Sequence, residues 1–131
     1  MQMQFAAGLV HFSTKHDGRI WRYDVRTQRL GVLYDMARNP RPILTGVDNI
    51  TVAPGGEVLV AEDGGDMQVV AIRADGTLQA VLQVPAHKQS EIAGIAFDPS
   101  GTRLYFSSQR GAAGQNGDGV TYEVSGPFGR T

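Results

Sequence analysis

The feature that most limits the fold of this 131-residue chain is a hairpin that occurs twice. The first copy, residues 48–65, starts with Asp-Asn, turns at a Pro-x-Gly at 54–56 and ends in Glu-Asp-Gly-Gly. The second copy, residues 91–108, starts with Glu, and its Pro-x-Gly turn at 99–101 follows 45 residues after the first. A repeat of about 40 to 50 residues is typical of the blades of a β-propeller.

Alternating apolar residues between Gly, Pro and Asp turns predict about ten antiparallel strands, and no segment has the period of a helix. The strands fall into three blades, at roughly 5–35, 48–84 and 91–128, within a single domain. A propeller blade is a four-stranded antiparallel meander whose first strand lines the axis. On that count the middle blade is complete, the first lacks its innermost strand and the third lacks its outermost. The predicted fold class is therefore all-β, a partial β-propeller with two incomplete blades.

The composition argues against several classes of protein. The chain has no cysteine, so it has no disulfide or thiolate metal site, and it has no apolar run long enough to span a membrane. Residues 1–41 hold seven basic and three acidic side chains, whereas residues 42–131 hold five basic and ten acidic ones. The hairpins lie in the acidic part, which would repel a phosphate backbone, so we expect neither nucleic-acid nor membrane partners. Residues 1–4 lead into a strand pattern and show no signal peptide.

Acidic and amide side chains stand at the strand ends of both hairpins. Because each hairpin enters and leaves its sheet at the same edge, we expect these side chains to gather on one face of the blades: Asp48, Asn49, Glu62, Asp63 and Glu91. Calcium takes about six to eight oxygen ligands, and converging carboxylates supply them without thiol or imidazole groups. The sequence thus predicts a calcium site. The alternative is that these residues form polar turns and cap loops through Asx hydrogen bonds.

Closure of a propeller ring needs more blades than this chain contains. Three blades do not surround a channel, and sheets left bare at either end invite pairing with another chain. Two explanations are open at this point. Either two copies form a two-fold ring of about six blades, or an N-terminal half of a longer polypeptide completes the ring.

An ordered set of motifs resembles the C-terminal part of the PhoX-type alkaline phosphatases. The likeness covers nearly the whole chain and consists of five segments: His-Phe-Ser-Thr before Gly-Arg-Ile-Trp-Arg-Tyr-Asp at 18–24, Val-Asp-Asn-Ile-Thr-Val at 47–52, Ala-Glu-Asp-Gly-Gly at 61–65, Ser-Glu-Ile-Ala-Gly-Ile-Ala-Phe-Asp-Pro-Ser-Gly at 90–101, and Gly-Val-Thr-Tyr-Glu-Val-Ser-Gly-Pro-Phe at 119–128. The set as a whole carries the resemblance, since each piece alone is common.

The resemblance implies a six-bladed β-propeller that hydrolyses phosphate monoesters with calcium and iron held on its axis. It implies that Glu62 and Glu91 bind metal together with Asp48, Asn49 and Asp63, and that the protein is periplasmic or secreted. Members of that family are several times longer than this chain, and their N-terminal blades carry a cysteine metal ligand. Activity as an alkaline-phosphatase-like hydrolase is therefore expected if the propeller is completed.

A phosphate monoester needs positive groups besides metals. Lys15, His16 and Arg110 follow the second strand of the first and third blades, at the edge where Glu62 lies in the middle blade. Arginine offers a planar fork for two phosphate oxygens. We therefore predict that Lys15 and Arg110 contact the phosphate as catalytic residues, the alternative being that they are solvated surface charges.

Two further functions fit a propeller with axial carboxylates. One is a metal-dependent lactonase of the gluconolactonase and regucalcin type, which resembles this chain in using Glu, Asn and Asp ligands. The other is a non-catalytic binding or structural module. The stretch at 91–94 and the Gly-Pro-Phe at 126–128 favour the phosphatase.

Overall fold

The computed structural model describes residues 3–40, 42–63 and 66–128. In this part of the chain it contains eleven β-strands and a short 3-10 helix at Met36–Arg38. Sheet I consists of β1 (Met3–Ala6), β2 (Leu9–Thr14), β3 (Arg19–Asp24) and β4 (Arg29–Asp35). Sheet II consists of β5 (Val47–Val52), β6 (Val58–Glu62), β7 (Gln68–Ile72) and β8 (Leu78–Gln83). Sheet III consists of β9 (Ile92–Phe97), β10 (Arg103–Ser108) and β11 (Val120–Ser125).

The predicted all-β fold of successive antiparallel meanders is confirmed. Sheet I has one strand more than expected, because Met3–Ala6 pairs with β2 across a turn at Ala7 and Gly8, both with positive φ. Four residues before a tight turn give too little alternation to predict a strand. Within the described residues sheet III has three strands, as expected. The same residues include no helix long and apolar enough to cross a membrane.

The two Pro-x-Gly turns of the repeat contact each other. Gly101 has a φ of 72°, and a Cβ at this position would lie 2.4 Å from Cγ of Pro54 in the other turn. Each turn is closed by a 2.9 Å backbone hydrogen bond, one from Gly56 N to Ala53 O and one from Gly101 N to Asp98 O. Glycine adopts the left-handed conformation at no steric cost and leaves room for the proline ring. The repeat thus places sheets II and III side by side.

Sheet II lies between the other two sheets, and its strand β6 is buried on both faces. Successive residues of a strand point to opposite sides, so Val58 and Val60 pack toward sheet I, whereas Leu59 and Ala61 pack toward sheet III. A strand buried on both faces reads as a continuous apolar run, which explains the Val-Leu-Val-Ala of β6. Each large aliphatic side chain buried in this way contributes roughly 1.5–3 kcal/mol.

The first strands of the sheets lie side by side, as in successive blades. β5 lies against β1 and β2 on one side and against β9 on the other. The hydroxyl of Ser13 in β2 donates a hydrogen bond of 2.7 Å to the carbonyl oxygen of Asp48 in β5. Strand ends from all three sheets therefore meet near the start of β5.

Candidate metal centre

Three carboxylates from different strand ends converge near the start of β5. Asp48 is the second residue of β5, Asp63 directly follows β6, and Glu91 directly precedes β9. One carboxylate oxygen of each lies within 4.8 Å of the other two, and all three side chains are half-buried. We call this group the acidic triad. It unites three of the five residues predicted to bind metal, across 43 positions of sequence.

A β-bulge removes Asp48 and Asn49 from the regular ladder of sheet II. β5 pairs with β6 at Val47 and again from Ile50, with a shift of register between them. Asp48 joins the triad, while Oδ1 of Asn49 accepts a hydrogen bond of 3.4 Å from the backbone N–H of Gly94 in β9. Bulges commonly redirect side chains next to functional sites. The metal role of Asn49 stays a prediction.

Asp63 is positioned by the segment that leads into β5. Its backbone N–H donates to the carbonyl oxygen of Gly46 at 2.8 Å. Gly46 has a φ of 67°, and a Cβ at this position would lie 3.3 Å from the carbonyl oxygen of Asp63. A glycine therefore permits the close approach that brings the end of β6 to the start of β5.

Lys15, in the turn after β2, pairs with two members of the triad. Its Nζ lies 2.6 Å from Oδ2 of Asp63 and 3.6 Å from Oδ2 of Asp48. The hydrogen bond to Asp63 raises the pKa of Lys15, and the charges of Asp48 and Glu91 act in the same direction. The lysine side chain is 49% exposed, so water also reaches its ammonium group. His16, its neighbour, is exposed.

Asp63 and Glu91 are joined by a hydrogen bond between their carboxyl groups. This bond lowers the pKa of Asp63, and Lys15 adds to the effect. The same bond raises the pKa of Glu91, and partial burial adds to that shift. Glu91 is therefore the carboxyl group of this pair that is harder to ionise. Lys15 offsets part of the repulsion among the converging carboxylates.

Arg110, which follows β10, contacts the triad from sheet III. Its Nη1 lies 3.5 Å from Oε1 of Glu91, and its Nε donates to the carbonyl oxygen of Gln89 at 3.0 Å. Its backbone N–H donates to Oγ of Ser90 at 2.8 Å. The two predicted phosphate-binding residues, Lys15 and Arg110, thus reach the triad from different sheets.

A buried chain of hydroxyl groups supports the Arg110 backbone, and sequence reasoning did not find it. Oγ of Ser108 donates to Oγ of Ser90 at 2.9 Å and lies 2.8 Å from Nδ1 of His87. All three residues are buried. The sequence gives one indication of this group. Ser90, next to Glu91, and Ser108, at the end of β10, are small polar residues at positions where apolar residues would be expected.

Glu62 lies in a different environment from the triad. It is fully buried, and its Oε1 accepts hydrogen bonds from Thr45 N–H at 3.0 Å and from Nε2 of Gln68 at 3.1 Å. Its Oε2 has no hydrogen-bond partner within the described ranges. Burial raises the pKa of Glu62. The predicted metal role of Glu62 stays a prediction, since the group of converging carboxylates consists of Asp48, Asp63 and Glu91.

The triad suits a hard divalent cation. Calcium takes about six to eight oxygen ligands. The three carboxylates supply one or two oxygens each. The group contains no histidine and no cysteine, which favours calcium over the softer iron. A search against protein-family models and a search of curated proteins each find no match to this chain. The acidic triad and the two cationic side chains beside it are therefore the features that indicate a function.

Proposed function

We propose that this chain carries the cation and phosphate site of a PhoX-like, metal-dependent phosphomonoesterase. In this proposal the acidic triad binds calcium, and Lys15 and Arg110 bind the phosphate of a monoester substrate. The observation that carries the proposal is that three carboxylates lie within 4.8 Å of one another and are contacted by a lysine and an arginine from two further strand ends. Acidic ligands next to basic side chains suit a cation and a phosphate bound together.

Each residue has a separate task in this site. Asp48, Asp63 and Glu91 would hold a calcium ion, which would supply positive charge next to the phosphate. When the triad carboxylates turn to a cation, Lys15 loses its partners Asp48 and Asp63 and its ammonium group is available to a phosphate oxygen. A bound cation would also favour the ionised form of Glu91, whose pKa the neighbouring Asp63 and partial burial raise. Arg110 offers its guanidinium fork to two phosphate oxygens.

The triad alone offers fewer oxygens than calcium usually takes. Water, the phosphate itself and residues from further blades would complete the shell. We therefore propose that binding of cation and phosphate is a property of this chain, and that hydrolysis requires further blades that complete the ring. Iron, which the family resemblance implies, would need ligands from those further blades.

Calorimetric titration with inorganic phosphate tests the proposal without requiring turnover. We expect phosphate binding in the presence of calcium and none with a chelator. Lys15→Met and Arg110→Met should each weaken phosphate binding by about tenfold, the loss of roughly one charge-assisted hydrogen bond. Lys88→Met, at an exposed lysine that makes no contact with the triad, is the matched control. Phosphate binding that is the same with calcium and with chelator would refute the proposal. Calcium-dependent hydrolysis of a lactone, with no phosphate binding, would indicate a lactonase.

A further inference from the structure

Sheet I presents a face of apolar side chains on the side turned away from sheet II. Cross-strand pairing aligns these side chains in two rows that run over all four strands. One row consists of Met3, Phe12, Trp21 and Val32, and the other consists of Phe5, Val10, Tyr23 and Leu30. We call these eight residues the outer face of sheet I. The opposite face of the same sheet, which carries Ile20 and Tyr34, packs against sheet II.

The outer face of sheet I is exposed to solvent, and no other sheet covers it among the described residues. Its outer members are exposed to 62% at Met3, 66% at Phe5, 56% at Leu30 and 45% at Val32. Its central members cover one another only in part, as in the stacked rings of Phe12 and Trp21, whose centroids lie 6.1 Å apart. Contiguous exposed apolar patches of this kind mark interaction surfaces in soluble proteins.

The corresponding outward face of sheet III has a different chemistry. Tyr105 donates a hydrogen bond of 2.8 Å to Glu123, and the hydroxyls of Ser107 and Thr121 lie 2.8 Å apart. Arg103 and Glu123 form an ion pair of 3.8 Å on the same face. These groups form hydrogen bonds with one another and remain exposed to solvent. A head-to-tail ring of two copies would bury this polar face against the outer face of sheet I, which is a poor match.

We propose that the outer face of sheet I is a protein interface and that it packs against the same face of a second copy of this chain. Among the sheet faces that the structure describes, this one is apolar and uncovered. In a solution of this chain alone, the surface that matches it best is the same face of another copy. Such a contact is isologous and closes as a two-fold dimer. Sheets I and II already pack face to face through a shared core, and sheets that pack in this way generally lie about 10 Å apart.

The size of the face limits the area that a dimer can bury. Four strands about 4.8 Å apart and about 20 Å long give a projected face of roughly 400 Å². Two such faces, with the sides of the protruding side chains included, bury roughly 1,000–1,400 Å² in total, at the lower end of specific interfaces. We therefore expect reversible dimerisation with a Kd on the order of micromolar. This association is independent of calcium, because no triad residue belongs to the face.

Sedimentation equilibrium of the purified chain with chelator tests the interface. We expect a monomer–dimer equilibrium over the micromolar range. Phe5→Lys and Leu30→Lys replace exposed side chains on the two edge strands, so neither removes a core contact, and each should raise the dimer Kd at least about tenfold. Unchanged circular dichroism and melting temperature would show that both variants remain folded.

A control on the other outward face separates the two modes of assembly. Thr121→Lys changes an exposed position on the polar face of sheet III and should leave the dimer Kd unchanged. If Thr121→Lys disrupts the dimer as strongly as the sheet I variants do, the copies form a head-to-tail ring and the proposal is overturned. A parent chain that stays monomeric up to about a hundredfold above micromolar concentration, or a dimer that none of the three variants weakens, overturns it as well.

Discussion

The ammonium nitrogen of Lys15 lies 2.6 Å from a carboxylate oxygen of Asp63, so a single ion pair joins a turn of sheet I to the end of β6 in sheet II. Asp63 is at the same time a member of the acidic triad. A cation that binds the triad must therefore compete with a charge that the chain itself supplies. This competition couples cation binding to the position of Lys15.

Replacing Lys15 should change thermal stability and calcium affinity in opposite directions. In Lys15→Met the triad loses its counter-charge, so we expect a lower melting temperature in chelator and calcium binding that is about tenfold tighter. Calorimetry and thermal melts measure the two effects in the same samples. Lys88→Met should change neither. Weaker calcium binding in Lys15→Met would contradict the account, because it would mean that the lysine supports the cation site.

Calcium affinity should depend on pH through the raised pKa of Glu91. At low pH a calcium ion competes with protonation of this carboxyl group. The pKa of Asp63 is lowered, so Asp63 is ionised throughout. We expect the affinity to rise with pH through the raised pKa of Glu91 and then to level off, in titrations from about pH 5 to about pH 8. A calcium affinity that does not change over this range would contradict a raised pKa of Glu91.

The buried carboxyl of Glu62 gives a separate pH effect on stability. Its folded-state pKa is raised by burial, so its contribution to stability is full below the unfolded-state pKa and is lost as pH rises through the folded-state value. Glu62→Gln removes the titration and keeps an oxygen for Thr45 and Gln68. In chelator, the melting temperature of Glu62→Gln relative to the parent should therefore increase with pH. A constant difference would show that Glu62 does not titrate in this range.

The contact between the repeated turns can be tested with two glycines. Gly56→Ala introduces a side chain at a φ of 95° with nothing within 4 Å, so it should cost only the backbone strain, about 1 kcal/mol. Gly101→Ala adds a clash with Pro54, so we expect a loss of about 2–4 kcal/mol. Urea unfolding measures both changes. Equal losses in the two variants would mean that the turns do not pack as described.

The fold was accessible from the sequence because its signals are local. Pro-x-Gly turns and alternating apolar residues fix hairpins, and the spacing of 45 residues fixes their succession as blades. β1 was missed because it is only four residues long. The apolar rows on sheet I were also missed, since a strand pattern does not tell which of two faces will be covered.

The site was accessible only in part. That strand ends meet at one edge follows from topology, and this places Asp48, Asp63 and Glu91 near one another. The different environments of Glu62 and Asp63 do not follow from topology. Neighbouring residues at a strand end point to opposite sides, and the point at which β6 ends decides that Asp63 joins the triad. The hydrogen bonds from Thr45 and Gln68 to Glu62 join segments whose approach the sequence does not encode in any short pattern.

The most direct test of the central claim, a calcium site at the acidic triad, is the melting temperature with chelator and with millimolar calcium. A ligand that binds only the folded state at about a hundredfold excess over Kd stabilises it by about 2.7 kcal/mol, which for a chain of this size is a shift of roughly 10 °C. We predict this shift for the parent and for Asp66→Asn, a change in the same loop outside the triad, and its loss in Asp63→Asn and Glu91→Gln. No calcium shift in the parent, or the same shift in all four chains, would contradict the account.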